Sequence, residues 1–195
     1  MKILGLTGGM GMGKSTAAAA FRRARIPVFD ADAAVHQLQA RGGRAVRAIE
    51  AAFPGTVRNG AVDRVALRHA VLGKPDALGR LERMLHPMVE HEERAFVARA
   101  RRQGRRAVVL DIPLLFETGG DRRVDRIVVV SAPRAIQLHR IRSRRRMNAA
   151  DVAAVIARQM PDAEKRRRAD VIVRTGLSRH NSLKTLSRLI KEVLA

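Results

Sequence analysis

Short apolar runs separated by longer stretches with helical spacing set the rhythm of this chain. Lys2 to Thr7 is brief, apolar and bounded by glycine, and reads as a buried strand. Lys14 to about Ala24 consists of good helix formers. Ile26-Pro27-Val28-Phe29 is a second short strand, ending at Asp30-Ala31-Asp32. Helix resumes from about Ala33 to Ala40 and stops at Gly42-Gly43. From Arg44 to about Gly104 the apolar positions recur at helical intervals. Ala45, Ile49 and Phe53 share one face, Val65 to Leu72 forms a short helix, and Pro75 to Gln103 carries Leu78, Leu81, Leu85, Val89 and Phe96. His86-Pro87 lies inside that last stretch, where a proline is expected to kink the helix or begin a new one. Pro54-Gly55 and Asn59-Gly60 are turns, and no strand is expected in the block.

Strand character returns at Ala107 to Leu110 and at Ile127 to Val130, two β-branched runs fit for a sheet covered on both faces. Helices are expected from Pro133 to about Arg144 and from Ala149 to Met160. A last strand follows at Val171-Ile172-Val173, and a closing helix runs from Leu183 to Leu194 with Leu186, Ile190 and Leu194 aligned. Strands alternating with helices predict an α/β fold built on a parallel sheet, with ligands at the carboxyl ends of its strands. Residues 44–104 then read as a helical insertion.

Gly8-Gly9-Met10-Gly11-Met12-Gly13-Lys14-Ser15-Thr16 joins the first strand to the first helix and fits the G-x-x-x-x-G-K-[ST] pattern of a phosphate-cradling loop. Glycines let the backbone bend so that successive N–H groups converge on phosphate oxygens. The helix beginning at Lys14 aims its positive end at the same place. Lys14 adds a point charge at the β- and γ-phosphates, and the Ser15 hydroxyl suits Mg²⁺. Asp30 and Asp32 lie near where a ribose-binding acid of a dinucleotide fold would fall. The glycines, however, do not form G-x-G-x-x-G, and a Lys-Ser pair has no role in that fold.

The chain has 195 residues, enough for one domain with a small insertion, and its hydrophobic content of 46% can supply a packed core. It has no cysteine, which excludes disulfides, a thiolate nucleophile and cysteine metal sites. No long apolar run and no secretory leader is evident, so a cytoplasmic protein without a membrane span is expected. Lys and Arg number 39 against 18 Asp and Glu, a formal charge of +21 that attracts polyanions. Aromatics are only 3% and the arginines are scattered along the chain, which argues against a nucleic-acid-binding module and toward a phosphate-rich small substrate.

Other residues carry candidate chemistry. Asp32, just past the second strand, can accept the proton of an attacking hydroxyl or cap the next helix. Asp111 ends the apolar strand Val108-Val109-Leu110, a placement suited to holding Mg²⁺ or to a plain turn. Arg140, Arg142, Arg144, Arg145 and Arg146 form the densest basic run, with Arg140 and Arg144 on one helix face. An arginine closing over a transferring phosphoryl group stabilises its charge.

Taken together, Leu6 to Thr16, Asp30-Ala31-Asp32, Asp63-Arg64, Leu81-Glu82 with His86-Pro87, Asp111-Ile112-Pro113-Leu114-Leu115-Phe116-Glu117, Gln137 with Arg140, Gln159, and Ala169-Asp170 resemble the dephospho-coenzyme A kinases. The matching pieces run in order over about nine tenths of the chain. The resemblance implies a three-layer α/β/α P-loop kinase core with a five-stranded parallel sheet in the order 2-3-1-4-5. It implies a core of about 1–43, 105–140 and 165–195, a helical coenzyme A-binding insertion of about 44–104 and a lid of about 141–164. It implies ATP, Mg²⁺ and dephospho-coenzyme A as partners, in a monomer or small homo-oligomer. Gly8 through Thr16 would hold ATP, with Ser15 and Asp111 toward the metal. Asp32 would be the catalytic base, Lys14 and Arg140 the catalytic cations. Asp32, His86, Pro87, Leu114, Leu115, Phe116 and Glu117 would line the acceptor site. Arg145, Val155 and Arg174-Thr175-Gly176 depart from the family's usual pattern. Another P-loop small-metabolite or nucleoside monophosphate kinase is the neighbouring alternative, and a basic nucleic-acid-binding protein the more distant one.

Overall fold

The computed structural model describes residues 1–143, 156–157, 159–176 and 178–195. Most of the helix expected from Ala149 to Met160, and with it Arg144, Arg145, Arg146 and Val155, lies outside the described residues. Two compact units are present, one of residues 1–29 with 99–195, the other of residues 30–98.

The first unit is organised by a parallel sheet of β1 (Lys2–Thr7), β2 (Val28–Asp30), β5 (Ala107–Asp111), β6 (Arg126–Ser131) and β7 (Val171–Arg174), in the order β2-β5-β1-β6-β7. Numbering these five strands consecutively reproduces the expected 2-3-1-4-5. Register is set by burial on both faces. Leu4 pairs with Val109 on one side and Arg126 on the other, and Leu6 with Asp111 and Val128. On one face Leu4, Leu6, Val109, Val128, Val130 and Val173 pack against Ala17, Ala18 and Phe21 of α1 (Lys14–Arg23) and Leu186, Leu189 and Val193 of the closing helix α8 (Arg179–Leu194). On the other face Gly5 leaves room for Leu115. A Cβ on Gly5 would stand 2.8 Å from Leu115 Cδ2 and 3.1 Å from Val124 Cγ2. Carboxylates close the amino ends of the strands: Asp125 Oδ2 accepts from Ile3 N at 2.7 Å, and Asp170 Oδ2 from Ile127 N at 2.6 Å. Among the described residues, the helices α6 (Arg134–Ser143) and α7 (Asp162–Arg167) and a 3-10 turn at Gly120–Arg123 also belong to this unit. Neither α7 nor that turn is expected from apolar spacing, because both are short and dominated by charge.

The second unit holds α2 (Ala31–Gln39), α3 (Val46–Ala52), α4 (Arg64–Val71) and most of α5 (Pro75–Arg102) around Leu38, Ile49, Phe53, Leu67, Leu81 and Leu85. Leu38 belongs to this cluster, which is why the unit begins ahead of α2 and not at the Gly42-Gly43 break. Two expectations are corrected here. The block contains a small antiparallel hairpin, β3 (Val57–Arg58) with β4 (Ala61–Val62), turned through Asn59 and Gly60 at φ 52° and 75°. Asn-Gly between short β-capable pairs is the signal for that turn, and strands of two residues are too short to show alternation. Also, α5 runs through Pro87 without a break. Pro87 and Arg83 are both exposed, so the carbonyl deprived of its partner can turn to water.

Candidate active site

At the carboxyl end of the central strand β1 the chain turns at Gly8, whose position leaves no room for a side chain: a Cβ there would lie 2.5 Å from the carbonyl oxygen of Val130. The loop ends at Gly13, which caps α1 in the left-handed conformation at φ 93°. No side chain caps this helix and its first turn carries no acid. Thr16 N donates to the Gly13 carbonyl at 3.1 Å, and the helix start presents the positive end of its dipole. Ser15 and Thr16 are exposed on that first turn, while Met12 is buried in the core below it.

Lys14 Nζ forms an ion pair with Asp111 Oδ1, at the end of the neighbouring strand β5. Asp111 is almost fully buried and Lys14 retains 18% side-chain exposure. The structure thus joins two residues the sequence places 97 positions apart. Their joining is a direct result of β1 and β5 being adjacent and in register.

The loop is held by groups from α6, from Thr175 just after β7, and from Gln159 in the segment before α7. Gln137 Nε2 donates to the carbonyl of Met10 at 2.8 Å, and Met10 N donates to Gln159 Oε1 at 3.1 Å. The Thr175 hydroxyl donates to the Met12 carbonyl at 2.5 Å. Arg140 donates to Thr175 Oγ1 at 3.0 Å and to the Thr175 carbonyl at 2.8 Å, and its Nη1 lies 3.4 Å from the carbonyl oxygens of Gly11 and Met12. Its guanidinium is engaged by carbonyl and hydroxyl oxygens of the loop and of Thr175, which is what a donor with a fixed fork finds beside an amide-lined turn.

The segment after β5 is also mostly structural. Leu115 is fully buried beneath Gly5. Phe116 is buried too, with the Arg168 guanidinium 4.6 Å from its ring centre. Glu117 pairs with the buried Lys165 at 2.9 Å and accepts from Met160 N at 2.7 Å. Burial opposes the charge on Glu117. The hydrogen bonds from Lys165 and Met160 outweigh it, and its carboxyl is held below the ordinary glutamate range. Lys165 Nζ also donates to the Pro113 carbonyl at 3.2 Å, which takes the Thr7 hydroxyl at 3.0 Å as well. Leu114 keeps part of its surface exposed.

In the second unit Asp30, not Asp32, caps α2: Asp30 Oδ1 accepts from Ala33 N at 3.0 Å. Asp32 sits exposed in the first helical turn, without the capping duty that competed with catalysis for it. His86 and Pro87 are exposed midway along α5. Asp63 caps α4 through Val65 N and Ala66 N, and these bonds, that to Ala66 first, lower its pKa against the opposing effect of desolvation. Gln137, Gln159 and Thr175 were not assigned roles by sequence reasoning. Their spacing from the loop is too great for any local pattern, although Gln137 and Arg140 at i, i+3 on one helix show a shared polar face.

A phosphate-cradling loop on the central strand of this sheet, with a lysine–aspartate pair beneath it, defines a kinase-type P-loop protein. The family model described as dephospho-CoA kinase matches residues 2–179. A dephospho-CoA kinase of Paramagnetospirillum magneticum is 60% identical over 166 residues, covering 85% of this chain and 78% of the relative. One from Gluconobacter oxydans is 52% identical over 194 residues, covering 97% of this chain and 96% of the relative. The crystal structure of TT1252 from Thermus thermophilus superposes with a TM-score of 0.84 at 33% identity, covering 100% of this chain and 98% of that one. The chain belongs to the dephospho-CoA kinase family.

Proposed function

We infer that this protein transfers the γ-phosphoryl group of ATP to the ribose 3′-hydroxyl of dephospho-coenzyme A, giving coenzyme A and ADP. The observation that carries the reading is the Lys14–Asp111 pair set under an uncapped, acid-free helix start, in a chain that matches its family almost end to end. In the proposed reaction the 3′-oxygen attacks the γ-phosphorus, the bond from that phosphorus to the β,γ-bridging oxygen breaks, and Asp32 accepts the hydroxyl proton. The amides of the loop and of the first turn of α1 bind the phosphates, and Lys14 leaves Asp111 to neutralise the β,γ-region.

Ser15 and Asp111 supply a hydroxyl and a carboxylate oxygen, a hard donor set that suits Mg²⁺, which fills its remaining positions with water and phosphate. When bound, Mg²⁺ supplies charge neutralisation to the phosphate chain. Leu114 is partly exposed and His86 and Pro87 are exposed, and each is assigned to the acceptor. Among the described residues no helix is long and apolar enough to cross a membrane.

A coupled assay of ADP release tests the reading. ADP formation that depends on dephospho-coenzyme A, with the product phosphorylated at the 3′-position, is the expected result. ADP formation that depends only on a nucleoside monophosphate or another small alcohol would overturn it.

A further inference from the structure

Met10 lies between Gly9 and Gly11, and a peptide plane flanked by glycine rotates at little cost. A single flip would present a carbonyl oxygen, not an N–H, to the phosphates. Something must therefore choose the orientation of each plane. A trans peptide points its C=O and N–H in opposite directions, so whatever holds one group aims the other.

We propose that Gln137 and Gln159 are positioning residues that lock the two peptide planes flanking Met10, and so fix the backbone from which the Gly11 and Gly13 amides are presented to the triphosphate. This rests on the nucleotide reading above. Gln159 takes the Met10 N–H at 3.1 Å, which directs the Gly9 carbonyl the other way, where it receives Met12 N at 3.1 Å. Gln137 holds the Met10 carbonyl at 2.8 Å, which turns the Gly11 N–H away from Gln137. Thr175, braced by Arg140, holds the Met12 carbonyl and turns the Gly13 N–H by the same logic. The Met10 and Met12 amides are thus taken by Gln159 and by the Gly9 carbonyl, and the amides of Gly11 and Gly13 are turned away from the donors that hold the Met10 and Met12 carbonyls, which is the arrangement an anion needs.

Both glutamines reach the loop from far along the chain and both are placed by rigid neighbours. Gln137 is buried on α6, its own N–H bonded to the Pro133 carbonyl at 3.0 Å. Gln159 is followed by Met160, whose N–H is fixed by Glu117, itself paired with the buried Lys165. A glutamine suits the task because one neutral side chain offers a donor and an acceptor without adding charge beside a phosphate.

The test replaces each glutamine by methionine, which keeps length and removes the hydrogen bond. Binding of inorganic tripolyphosphate is measured by calorimetry, and KM for ATP and for the acceptor by turnover. Gln137→Met and Gln159→Met should each weaken tripolyphosphate binding and raise KM for ATP by about tenfold, a loss of the size one well-placed hydrogen bond gives. KM for dephospho-coenzyme A and the melting temperature should hardly move. Gln137→Glu, of the same shape but unable to donate when ionised, should lose more. Wild-type affinity for tripolyphosphate in both methionine variants would overturn the proposal. If Gln137→Met fails to fold, Gln159→Met on its partly exposed site decides alone. Wild-type protein that binds no tripolyphosphate would instead bring down the nucleotide reading, and the positioning role with it.

Discussion

Lys14, at the first position of α1, meets Asp111, at the last position of β5, in an ion pair whose acid is almost completely buried. The lysine ammonium is thereby held against the end of β5, beside the glycine-rich loop. The pair also compensates a carboxylate that would be costly to leave alone in that setting.

Replacing the lysine should therefore have two separable effects. Lys14→Ala is expected to lower kcat by about 10²-fold or more, because a charge on the β,γ-phosphates is lost. It should also cost about 1–3 kcal/mol of stability by removing the ion pair to the buried Asp111 carboxylate. The double variant Lys14→Ala/Asp111→Asn should regain most of the stability and none of the activity. Denaturant melts beside steady-state kinetics check this, and equal stability of the single and double variants would refute the account.

Asp32 is free of capping duty because Asp30 holds the amide of Ala33. Asp32→Asn should lower kcat by roughly 10²–10⁴-fold with little change in KM for ATP, as expected for loss of a general base. Asp30→Ala should instead destabilise α2 by about 1 kcal/mol. An Asp32→Asn enzyme with unchanged kcat would remove the base role.

The depressed pKa of Glu117 makes a prediction about acid stability. Its folded-state carboxyl titrates below the ordinary value of 4.5, so the unfolded chain binds the proton more readily. The stability it contributes is complete above that ordinary value and is lost as pH falls through the folded-state one. Glu117→Gln should flatten the stability profile across this acidic window and leave the profile near neutrality parallel to that of the wild type. Urea melts from about pH 6 down to about pH 3 provide the measurement. A wild-type-shaped acid limb in Glu117→Gln would count against the assignment.

Two glycines are required by contact and not by habit. Gly5→Ala would push a methyl to 2.8 Å from Leu115 Cδ2, and should cost about 1–3 kcal/mol with partial rescue by Leu115→Val. Gly8→Ala would meet the Val130 carbonyl at 2.5 Å, a backbone atom that cannot step aside. Loss of nucleotide binding in Gly8→Ala, with or without loss of fold, is the expected outcome of a nucleotide titration and a thermal melt.

Much of this protein is legible along the chain. The apolar runs at Lys2–Thr7, Ala107–Asp111 and Arg126–Ser131 determine strands buried on both faces, because only such a place accommodates continuous β-branched and aliphatic residues. The loop from Gly8 to Thr16 declares its chemistry locally, since a cradle made of consecutive amides needs consecutive residues. What tertiary structure alone decided is which distant side chains serve that loop. Lys14 finds Asp111 because β5 lies beside β1, Leu115 becomes core because Gly5 leaves it space, Gln137 and Arg140 on α6 turn to carbonyls of the loop, and Gln159, ahead of α7, takes the Met10 amide. Such pairings depend on strand order and on backbone direction in three dimensions, and no periodicity in a linear chain encodes either.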